Sequence, residues 1–381
     1  MKKPFVISIS GISGSGKTTI FNVMKERLTN TEVVFFDDIP GDLLGRDYCE
    51  WSDSGADYNE WDLSQLTEKI KSLLHKSLDY IILDYPFGKA HREIGAYVDW
   101  SVWLDIPMDI SLARRILCDF TRRSEKRRPL KGNTAEEVSS YLDFYLARHR
   151  GTYLRHIETI KPFVDIIFDG AKSTEEVADE IINALSVRKH YDALIDENND
   201  PVHDPEPLRT YMDKWDGKAF VDAMQLTPDK SVLEIGVGTG RLAMRVCEKC
   251  KSLIGIDISP KTVERAKENL RAFPNIRLIC GEFITHEFTE SFDVIYSSLT
   301  FLHVKDKKSA IQKIANILTC GGRFILSINK EQQTLLDFGN RQIEVYPDMP
   351  PKIVLLLTGA GLKIEKQFET EFAVIFTTLK E

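Results

Sequence analysis

The sequence has no long hydrophobic run. A helix that spans a membrane needs roughly 20 consecutive apolar residues, and no stretch of this 381-residue chain approaches that length. Met1-Lys2-Lys3 leads directly into a strand-like segment, where a signal peptide would have its apolar core. We therefore expect no membrane partner and a cytoplasmic location.

Excess basic charge and paired cysteines are also lacking. The formal net charge is -8 and the isoelectric point is about 5.6, whereas domains that bind nucleic acid are usually basic. The 6 cysteines are scattered, and only Cys247 and Cys250 form a C-x-x-C pair, without the further ligands of a zinc site. The sequence predicts no nucleic-acid partner and ordinary reduced thiols on a helix.

Length and composition indicate two globular domains. Hydrophobic residues make up 43% and charged residues 28%, which is the usual balance of a soluble protein. A chain of 381 residues is too long for one ordinary core. The apolar rhythm breaks down after residue 186, and an acidic stretch that ends in Pro201 follows. We predict α/β domains at residues 1–188 and 203–381, joined by a linker at 189–202.

A phosphate-binding loop opens the first domain. Residues 11–18 fit the G-x-x-x-x-G-K-[ST] (Walker A) pattern, with a strand-like run before them and helical spacing after them. The N–H groups of such a loop surround a phosphate. A Gly/Ser-rich turn that matches by chance is the alternative. The pattern predicts ATP with Mg²⁺, with Lys17 at the phosphates and the Thr18 hydroxyl on the metal. The predicted binding residues are Gly11, Ser13, Gly14, Ser15, Gly16, Lys17, Thr18 and Thr19.

Acidic residues follow the next two predicted strands. The strand at residues 33–36 ends in Asp37 and Asp38, and the strand at 80–83 ends in Asp84. Ligands of doubly wound sheets gather beyond the carboxyl ends of the strands. We predict that Asp84 holds Mg²⁺ through water. One of Asp37 and Asp38 is expected to face the phosphate, and the other to cap a turn.

Arginines cluster after the fourth predicted strand. Arg114 and Arg115 lie on a predicted helix, and a basic run at residues 122–128 follows it. A kinase needs an arginine-bearing segment that closes over the γ-phosphate, because this neutralises charge in the transition state and excludes water. We predict that role for Arg114, Arg115 or residues 122–128 as a group. A solvated charged face is the alternative.

The first domain resembles the uridine kinase and nicotinamide riboside kinase type of P-loop kinase. The resemblance rests on the P-loop, the acids after the second strand, residues 112–120 (L-A-R-R-I-L-C-D-F) and residues 153–167, and it covers most of residues 1–188. It implies ATP-dependent phosphorylation of a small, nucleoside-like hydroxyl compound. It also implies that Asp37, with Asp38 as the other choice, takes the proton from the acceptor hydroxyl.

The sequence departs from that family at two places. Such kinases often have a glutamate-glycine pair after the third strand, where this chain has Asp84-Tyr85-Pro86, and the ribose-holding segment matches only loosely at residues 57–62. A GTPase is the competing P-loop interpretation. It would need an N-K-x-D motif, which the first domain does not have.

A different glycine loop opens the second domain. The strand at residues 231–235 runs into Gly236-Val237-Gly238-Thr239-Gly240, and Arg241 stands where the dinucleotide fingerprint would need a glycine. Three acids lie at the ends of three consecutive predicted strands. Glu234 is expected to accept from a cationic group, Asp257 from ribose hydroxyls and Glu282 from an adenine amino group. With Gly236, Gly238 and Gly240, they predict a site for S-adenosylmethionine.

This arrangement resembles the class I methyltransferases over residues 203–381. The resemblance implies a Rossmann-like seven-stranded sheet that binds S-adenosylmethionine. No Asn/Asp-Pro-Pro-Tyr or Pro-Cys motif follows the fourth strand, so we expect a small-molecule methyl acceptor. His303 is a candidate general base, with packing or capping as the alternative role. A nicotinamide or flavin domain is the alternative for the whole second domain.

Two functional hypotheses of different class follow. In the first, the chain is a bifunctional enzyme that phosphorylates one small molecule and methylates the same or a related one. In the second, the chain is a methyltransferase regulated by a nucleotide-binding P-loop switch. The acids after the second strand and the arginine segment favour the first hypothesis. The sequence specifies neither the two acceptors nor the oligomeric state.

Overall fold

The computed structural model describes residues 3–121, 134–339 and 341–381. The chain divides into two compact units, residues 1–182 and 183–381. Each unit contains a sheet with helices between its strands, which confirms the α/β class. The division falls within a helix, α8 (Thr174–Asp196), so residues 189–196 are helical and not linker as we predicted. The apolar rhythm stops early because Arg188 and His190, both polar, occupy buried positions of this helix.

The first unit contains a parallel five-stranded sheet. Its strand order is β2-β3-β1-β4-β5, and each neighbouring pair runs parallel. Val6, Ile7 and Ile9 of the central strand are fully buried, as expected for a parallel strand covered on both faces. The strands are β1 (Phe5–Ser10), β2 (Thr31–Phe35), β3 (Tyr80–Asp84), β4 (Trp100–Asp105) and β5 (Ile166–Asp169).

Helices connect these strands. The predicted helix at residues 135–160 forms as two α-helices joined by a π-helical turn at Tyr145–His149. The capping box of Thr134 and Glu137 begins it, since each side chain bonds the backbone N–H of the other. The helices are α1 (Lys17–Arg27), α2 (Tyr48–Asp53), α3 (Ser64–Leu74), α4 (Arg92–Gly95), α5 (Met108–Ile116), α6 (Ala135–Phe144) and α7 (Arg150–Ile160), followed by α8.

The second unit contains a seven-stranded sheet of order β13-β14-β10-β9-β6-β7-β8. The strands from β6 to β10 pair in parallel, and β14 runs antiparallel to both β10 and β13. A separate hairpin pairs β11 with β12. The strands are β6 (Ser231–Ile235), β7 (Ser252–Asp257), β8 (Ile276–Cys280), β9 (Phe292–Ser298), β10 (Leu318–Asn329), β11 (Leu335–Asp337), β12 (Gln342–Glu344), β13 (Leu362–Glu369) and β14 (Ala373–Lys380).

Two apolar clusters bury the faces of this sheet. One contains Leu233 and Ile295, and the other contains the adjacent Val232 and Val294, as the period of a strand requires. The helices of the unit after α8 are α9 (Glu206–Met212), α10 (Gly217–Ala223), α11 (Ala243–Cys247), α12 (Pro260–Asn269), α13 (Lys307–Ile317) and α14 (Pro350–Gly359). Because β6, β7, β8 and β9 run parallel, their carboxyl ends meet at one edge of the sheet.

Cys247 and Cys250 are buried free thiols. Cys247 is the last residue of α11, and Cys250 lies beyond that helix. Burial raises the pKa of Cys247 to about 12 and that of Cys250 to about 11. Both thiols are therefore protonated at neutral pH and poorly suited to bind a metal.

Within residues 3–121, 134–339 and 341–381, no helix has both the length and the apolar character required to cross a membrane.

Candidate active sites

The P-loop joins β1 to α1 in the first unit. Lys17 is the first residue of α1, and its Nζ donates to the carbonyl oxygens of Gly11 at 2.8 Å and Ile12 at 3.3 Å. Gly14 has a φ of +89°, and a Cβ there would lie 2.5 Å from the carbonyl oxygen of Ser111. The position therefore requires glycine. The Ser111 hydroxyl also donates to the carbonyl oxygen of Ser13 at 2.7 Å, which ties α5 to the loop.

Two carboxylates act on the lysine of this loop. Burial lowers the pKa of the Lys17 ammonium, and the charge of Arg115 acts in the same direction, whereas Asp84 and Asp37 oppose it. Asp84 is the last residue of β3, and Asp37 lies in a single 3₁₀ turn directly after β2. The structure thus brings together residues that sequence patterns selected separately. Asp37 and Asp38 are both exposed in this turn.

A cavity of about 290 Å³ adjoins Asp37. Three aromatic side chains line it, and the ring centroids of Phe36 and Tyr48 lie 5.8 and 6.1 Å from that of Trp61. Arg46 also lines the cavity and forms an ion pair of 2.5 Å with Glu60. The cavity is open to solvent, and polar groups contribute more of its lining than apolar ones.

The two predicted arginines of α5 have different partners. Arg114 donates from Nη1 to the carbonyl oxygen of Gly170 at 2.7 Å and from Nη2 to that of Ala171 at 3.3 Å. Arg115 pairs with Asp119 at 3.0 Å, and its charge acts on Lys17. Arg114 therefore holds the turn after β5, and its Nη1 also lies 3.9 Å from the position of a Cβ at Gly16 of the P-loop. Arg115 is electrostatically coupled to Lys17. Residues 122–128, the rest of the predicted group, lie outside the described residues.

Two side chains of α7 lie near this loop, although the sequence patterns assigned them no role in the site. Tyr153 shares a hydrogen bond with the Ser13 side chain. His156 is buried, and burial together with the nearby Lys17 charge lowers its pKa to about 4. Its imidazole is therefore neutral at pH 7. Neither residue belongs to the phosphate-loop pattern, and tertiary packing of α7 brings them to the site.

The glycine loop of the second unit lies against the segment that follows β9. Gly236 has a φ of +78°, and a Cβ there would lie 1.9 Å from Oγ1 of Thr300. Leu299, the residue directly before Thr300, has a φ of +58°, which is unusual for a residue with a side chain. The close approach of these two segments therefore depends on glycine at position 236.

Glu234 is buried within β6, at 3% exposure. Its Oε2 accepts a hydrogen bond of 2.7 Å from the Tyr296 hydroxyl. Burial raises the pKa of the Glu234 carboxyl to about 8, so the group is mainly protonated at neutral pH. We expected Glu234 to accept from a cationic ligand group, and in this structure it accepts from Tyr296.

Asp257 is the last residue of β7, the strand next to β6, and Glu282 follows the end of β8, the strand beyond β7. The Asp257 carboxylate accepts the N–H groups of Gly238 and Ser259, both at 3.0 Å, and burial raises its pKa to about 6. Glu282 accepts the N–H of Thr285 at 2.8 Å, and burial raises its pKa. The backbone therefore fixes both carboxyl groups in place.

The part of α8 in the second unit lies beside Asp257, which the sequence did not predict. Asp257 contributes to raising the pKa of the buried Tyr191 hydroxyl, and Asp192 accepts from the Ser259 hydroxyl at 2.7 Å. Tyr191 also bonds Nε2 of His303 at 2.8 Å. Burial, His190 and Lys307 lower the pKa of His303 to about 4, so its imidazole is neutral at pH 7.

A second missed pair lies at the end of the glycine loop. Arg241 donates from its two Nη atoms to the Asp216 carboxylate at 3.0 and 2.5 Å. The Asp216 side chain is fully buried and also accepts from Ser298 at 2.9 Å. The sequence contains one signal for the role of Arg241 at the glycine loop, because this residue directly follows Gly240. The pair connects the glycine loop to the carboxyl end of β9.

Part of the second unit is similar to known methyltransferases. Residues 233–326 match the family described as "Methyltransferase domain". An uncharacterized methyltransferase of Anoxybacillus flavithermus is 34% identical over 131 residues, which are 32% of this chain and 59% of that protein. Phosphoethanolamine N-methyltransferase 1 of Arabidopsis thaliana is 32% identical over 113 residues, 29% of this chain and 23% of that protein. The matches thus span 59% and 23% of these two relatives.

Part of the chain is also similar to solved structures. The N-methyltransferase NodS from Bradyrhizobium japonicum, in complex with S-adenosyl-L-homocysteine, is 15% identical, with 51% of this chain and 98% of that chain covered and a TM-score of 0.39. A putative S-adenosylmethionine-dependent methyltransferase from Listeria monocytogenes is 17% identical, with 42% and 96% covered and a TM-score of 0.38.

Proposed function

We propose that the second unit transfers a methyl group from S-adenosylmethionine to a small molecule. The observation that carries the proposal is the position of Glu234 in β6, Asp257 at the end of β7 and Glu282 just after β8. These three strands lie side by side and run parallel, and the glycine loop follows the first of them. The matched methyltransferase domain covers all three acids.

The residues present fit the cofactor. The Asp257 carboxylate, oriented by two backbone N–H groups, would accept from both ribose hydroxyls. Glu282 would accept from the adenine amino group, and the loop from Gly236 to Gly240 lets a ligand approach the backbone. When bound, S-adenosylmethionine supplies an electrophilic methyl group. The chain's own residues orient the cofactor and the acceptor and exclude water.

A small polar acceptor agrees with the sequence and with one relative. The net charge of -8 does not favour a polyanion, and motifs of nucleic-acid methylation are missing after β9. One relative is named as a phosphoethanolamine N-methyltransferase, which names a small polar acceptor.

Transfer of labelled methyl groups from S-adenosylmethionine to a panel of small amines, alcohols and acids tests this function. Gly236→Ala should abolish transfer, because the added Cβ overlaps Thr300. Gly359→Ala is the matched control, since a Cβ there would meet no atom of the described residues within 4 Å, apart from its chain neighbours and the backbone of its own helix. Equal transfer by the chain and by Gly236→Ala would contradict the proposed site.

We propose, as a second function, that the first unit phosphorylates a small hydroxyl compound with ATP and Mg²⁺. The specific observation is that Lys17 of the P-loop is coupled to Asp84 and Asp37, and that Asp37 also lines the 290 Å³ cavity. Asp37 could take a proton from an acceptor hydroxyl in that cavity. The P-loop backbone and Lys17 would hold the phosphates, and Thr18 and Asp84 the metal.

ADP formation by the full chain, with nucleosides, ribosides and small alcohols, tests the kinase function. Asp37→Asn keeps the shape of the side chain but removes its basicity, so it should lower turnover much more than ATP affinity. Asp38→Asn is the matched control, and a loss limited to it would exchange the two roles. The switch hypothesis replaces the kinase hypothesis if three results occur together. ATP binds, no acceptor stimulates ADP formation, and ATP changes the rate of methyl transfer.

A further inference from the structure

Tyr191 and His303 form a partly buried pair at the edge of the proposed methyl-transfer site. The Tyr191 hydroxyl lies 2.8 Å from Nε2 of His303, and the ring centroids are 5.5 Å apart at an interplanar angle of 85°. Tyr191 comes from α8, and His303 ends the 3₁₀ turn that follows β9. The pair thus connects the surroundings of Asp257 to the segment that packs against the glycine loop.

The hydrogen-bonding partners of this pair decide which nitrogen of His303 carries the proton. Within the described residues, Nε2 of His303 is the hydrogen-bond partner of the Tyr191 hydroxyl, and Nδ1 of His303 is buried without a partner. If Nε2 accepts from the hydroxyl, the Nδ1–H group alone is unsatisfied. If Nε2 donates, both the hydroxyl proton and the Nδ1 lone pair are unsatisfied. Because each buried unsatisfied group costs free energy, the first arrangement is favoured.

The charges around the pair support the same assignment. Burial and Asp257 raise the pKa of Tyr191, so its hydroxyl keeps its proton. Burial, His190 and Lys307 lower the pKa of His303 to about 4, so the imidazole is neutral and has one protonated nitrogen. A neutral phenol facing a neutral imidazole donates to its free lone pair.

The helix that carries Tyr191 is fixed to the cofactor side of the site. Asp192 accepts from the Ser259 hydroxyl at 2.7 Å and from the N–H of Lys261 at 3.3 Å. Lys261 in turn donates to the Asp196 carboxylate at 2.6 Å. These bonds hold α8 against the beginning of α12, so the position of the Tyr191 hydroxyl is set by the fold.

We propose that Tyr191 is a positioning residue that holds His303 in the Nδ1-protonated tautomer, so that His303 presents an N–H donor to an oxygen of the methyl acceptor. The inference rests on the proposed methyl transfer. It assigns His303 to acceptor binding in place of general base catalysis, because the Nε2 lone pair is engaged. The acceptor class is a compound with a carboxylate, phosphate, carbonyl or hydroxyl oxygen close to the methylated atom.

Nitrogen-15 NMR of histidine-labelled full chain, with S-adenosyl-L-homocysteine present, tests the tautomer. The sequence has 8 histidines, and His303→Gln identifies the signal of His303. We expect the population of the Nδ1-protonated tautomer to exceed that of the Nε2-protonated tautomer by at least about fivefold. The reason is that the second tautomer leaves one more buried polar group without a hydrogen bond. Tyr191→Phe should remove this excess. Tyr211→Phe, which removes a hydroxyl on α9, should leave it unchanged.

Acetate and methylammonium, titrated into the same sample, test the acceptor chemistry. Acetate should shift the His303 Nδ1–H signal saturably, and methylammonium should not. An Nε2-protonated His303 in the unsubstituted chain, or an unchanged tautomer in Tyr191→Phe, overturns the role of Tyr191. The first result does not depend on Tyr191→Phe and needs His303→Gln only to assign the signal. A signal that neither probe shifts overturns the acceptor assignment. Calorimetry with S-adenosyl-L-homocysteine on the same sample distinguishes these outcomes from failure of the proposed methyl transfer. If S-adenosyl-L-homocysteine does not bind, the proposed methyl transfer itself fails.

Discussion

The Tyr296 hydroxyl donates a hydrogen bond of 2.7 Å to Oε2 of Glu234, and neither side chain is more than 3% exposed. The two residues occupy the neighbouring strands β6 and β9, where they are directly paired. Water cannot solvate the carboxylate there, so burial raises the pKa of Glu234 from its ordinary value of 4.5 to about 8. A protonated carboxyl inside the sheet has a measurable consequence for stability.

We predict that the free energy of unfolding of the second unit falls between about pH 5 and pH 8 through Glu234. In this window the folded state keeps the proton that the unfolded state loses, so stability decreases as pH rises, by up to about 1.4 kcal/mol per pH unit. Hydrogen exchange of peptides that contain β6, measured between about pH 5 and pH 8, reports this decrease in the free energy of unfolding. Glu234→Gln should flatten the slope, and an unchanged slope would contradict the raised pKa.

Lys17→Ala should reduce ADP formation by the first unit by ~10²–10³, as expected for the loss of one charge-stabilising donor. The fold should persist, because the Lys17 ammonium bonds two carbonyl oxygens of its own loop. Lys25→Ala, on the same helix and in a loose 4.0 Å contact with Glu32, is the control. Equal turnover by Lys17→Ala and Lys25→Ala would refute the phosphoryl-transfer proposal.

Substitution of the two arginines of α5 should have different effects on stability and on turnover. Arg114→Ala loses bonds to the carbonyl oxygens of Gly170 and Ala171, so we expect about 1 kcal/mol of destabilisation with little change in turnover. Arg115→Ala removes a charge that acts on Lys17, so turnover should fall more than stability. Denaturation curves and initial rates on both variants check this, and the reverse pattern would exchange the roles.

Asp257→Ala should weaken S-adenosylmethionine binding by ~1–3 kcal/mol, because the ribose hydroxyls lose a charged acceptor in a partly dry site. Equilibrium dialysis measures the change. Asp222→Ala on α10 removes a half-exposed carboxylate that pairs with Lys218 and should bind normally. Unchanged affinity in Asp257→Ala would show that the cofactor contacts other residues.

Local patterns were enough to predict the first strand and the glycine loop of each unit. Strand β6 begins and ends where predicted, since a short apolar run bounded by glycine marks a buried parallel strand. The strand predicted at residues 33–36 instead spans Thr31–Phe35. The pairs Arg241–Asp216 and Tyr191–His303 join residues 25 and 112 positions apart, respectively. No periodicity encodes such contacts. They depend on how α8 and the segment before α10 pack, which propensity does not determine.

The extent of α8 illustrates the same limit. Its buried positions include Arg188 and His190, which find polar partners inside the second unit. A search for apolar spacing therefore ended the helix too early. It also missed Tyr191 and Asp192, the residues that connect this helix to the proposed cofactor site.

Calorimetric titration of the full chain with S-adenosylmethionine tests the proposed methyl-transfer function most directly. We predict one binding site per chain, competition by S-adenosyl-L-homocysteine, and no binding of NADH, because Arg241 interrupts the glycine pattern that a dinucleotide requires. A folded chain that gives no heat with S-adenosylmethionine, or that binds NADH in its place, would contradict the methyltransferase assignment of the second unit.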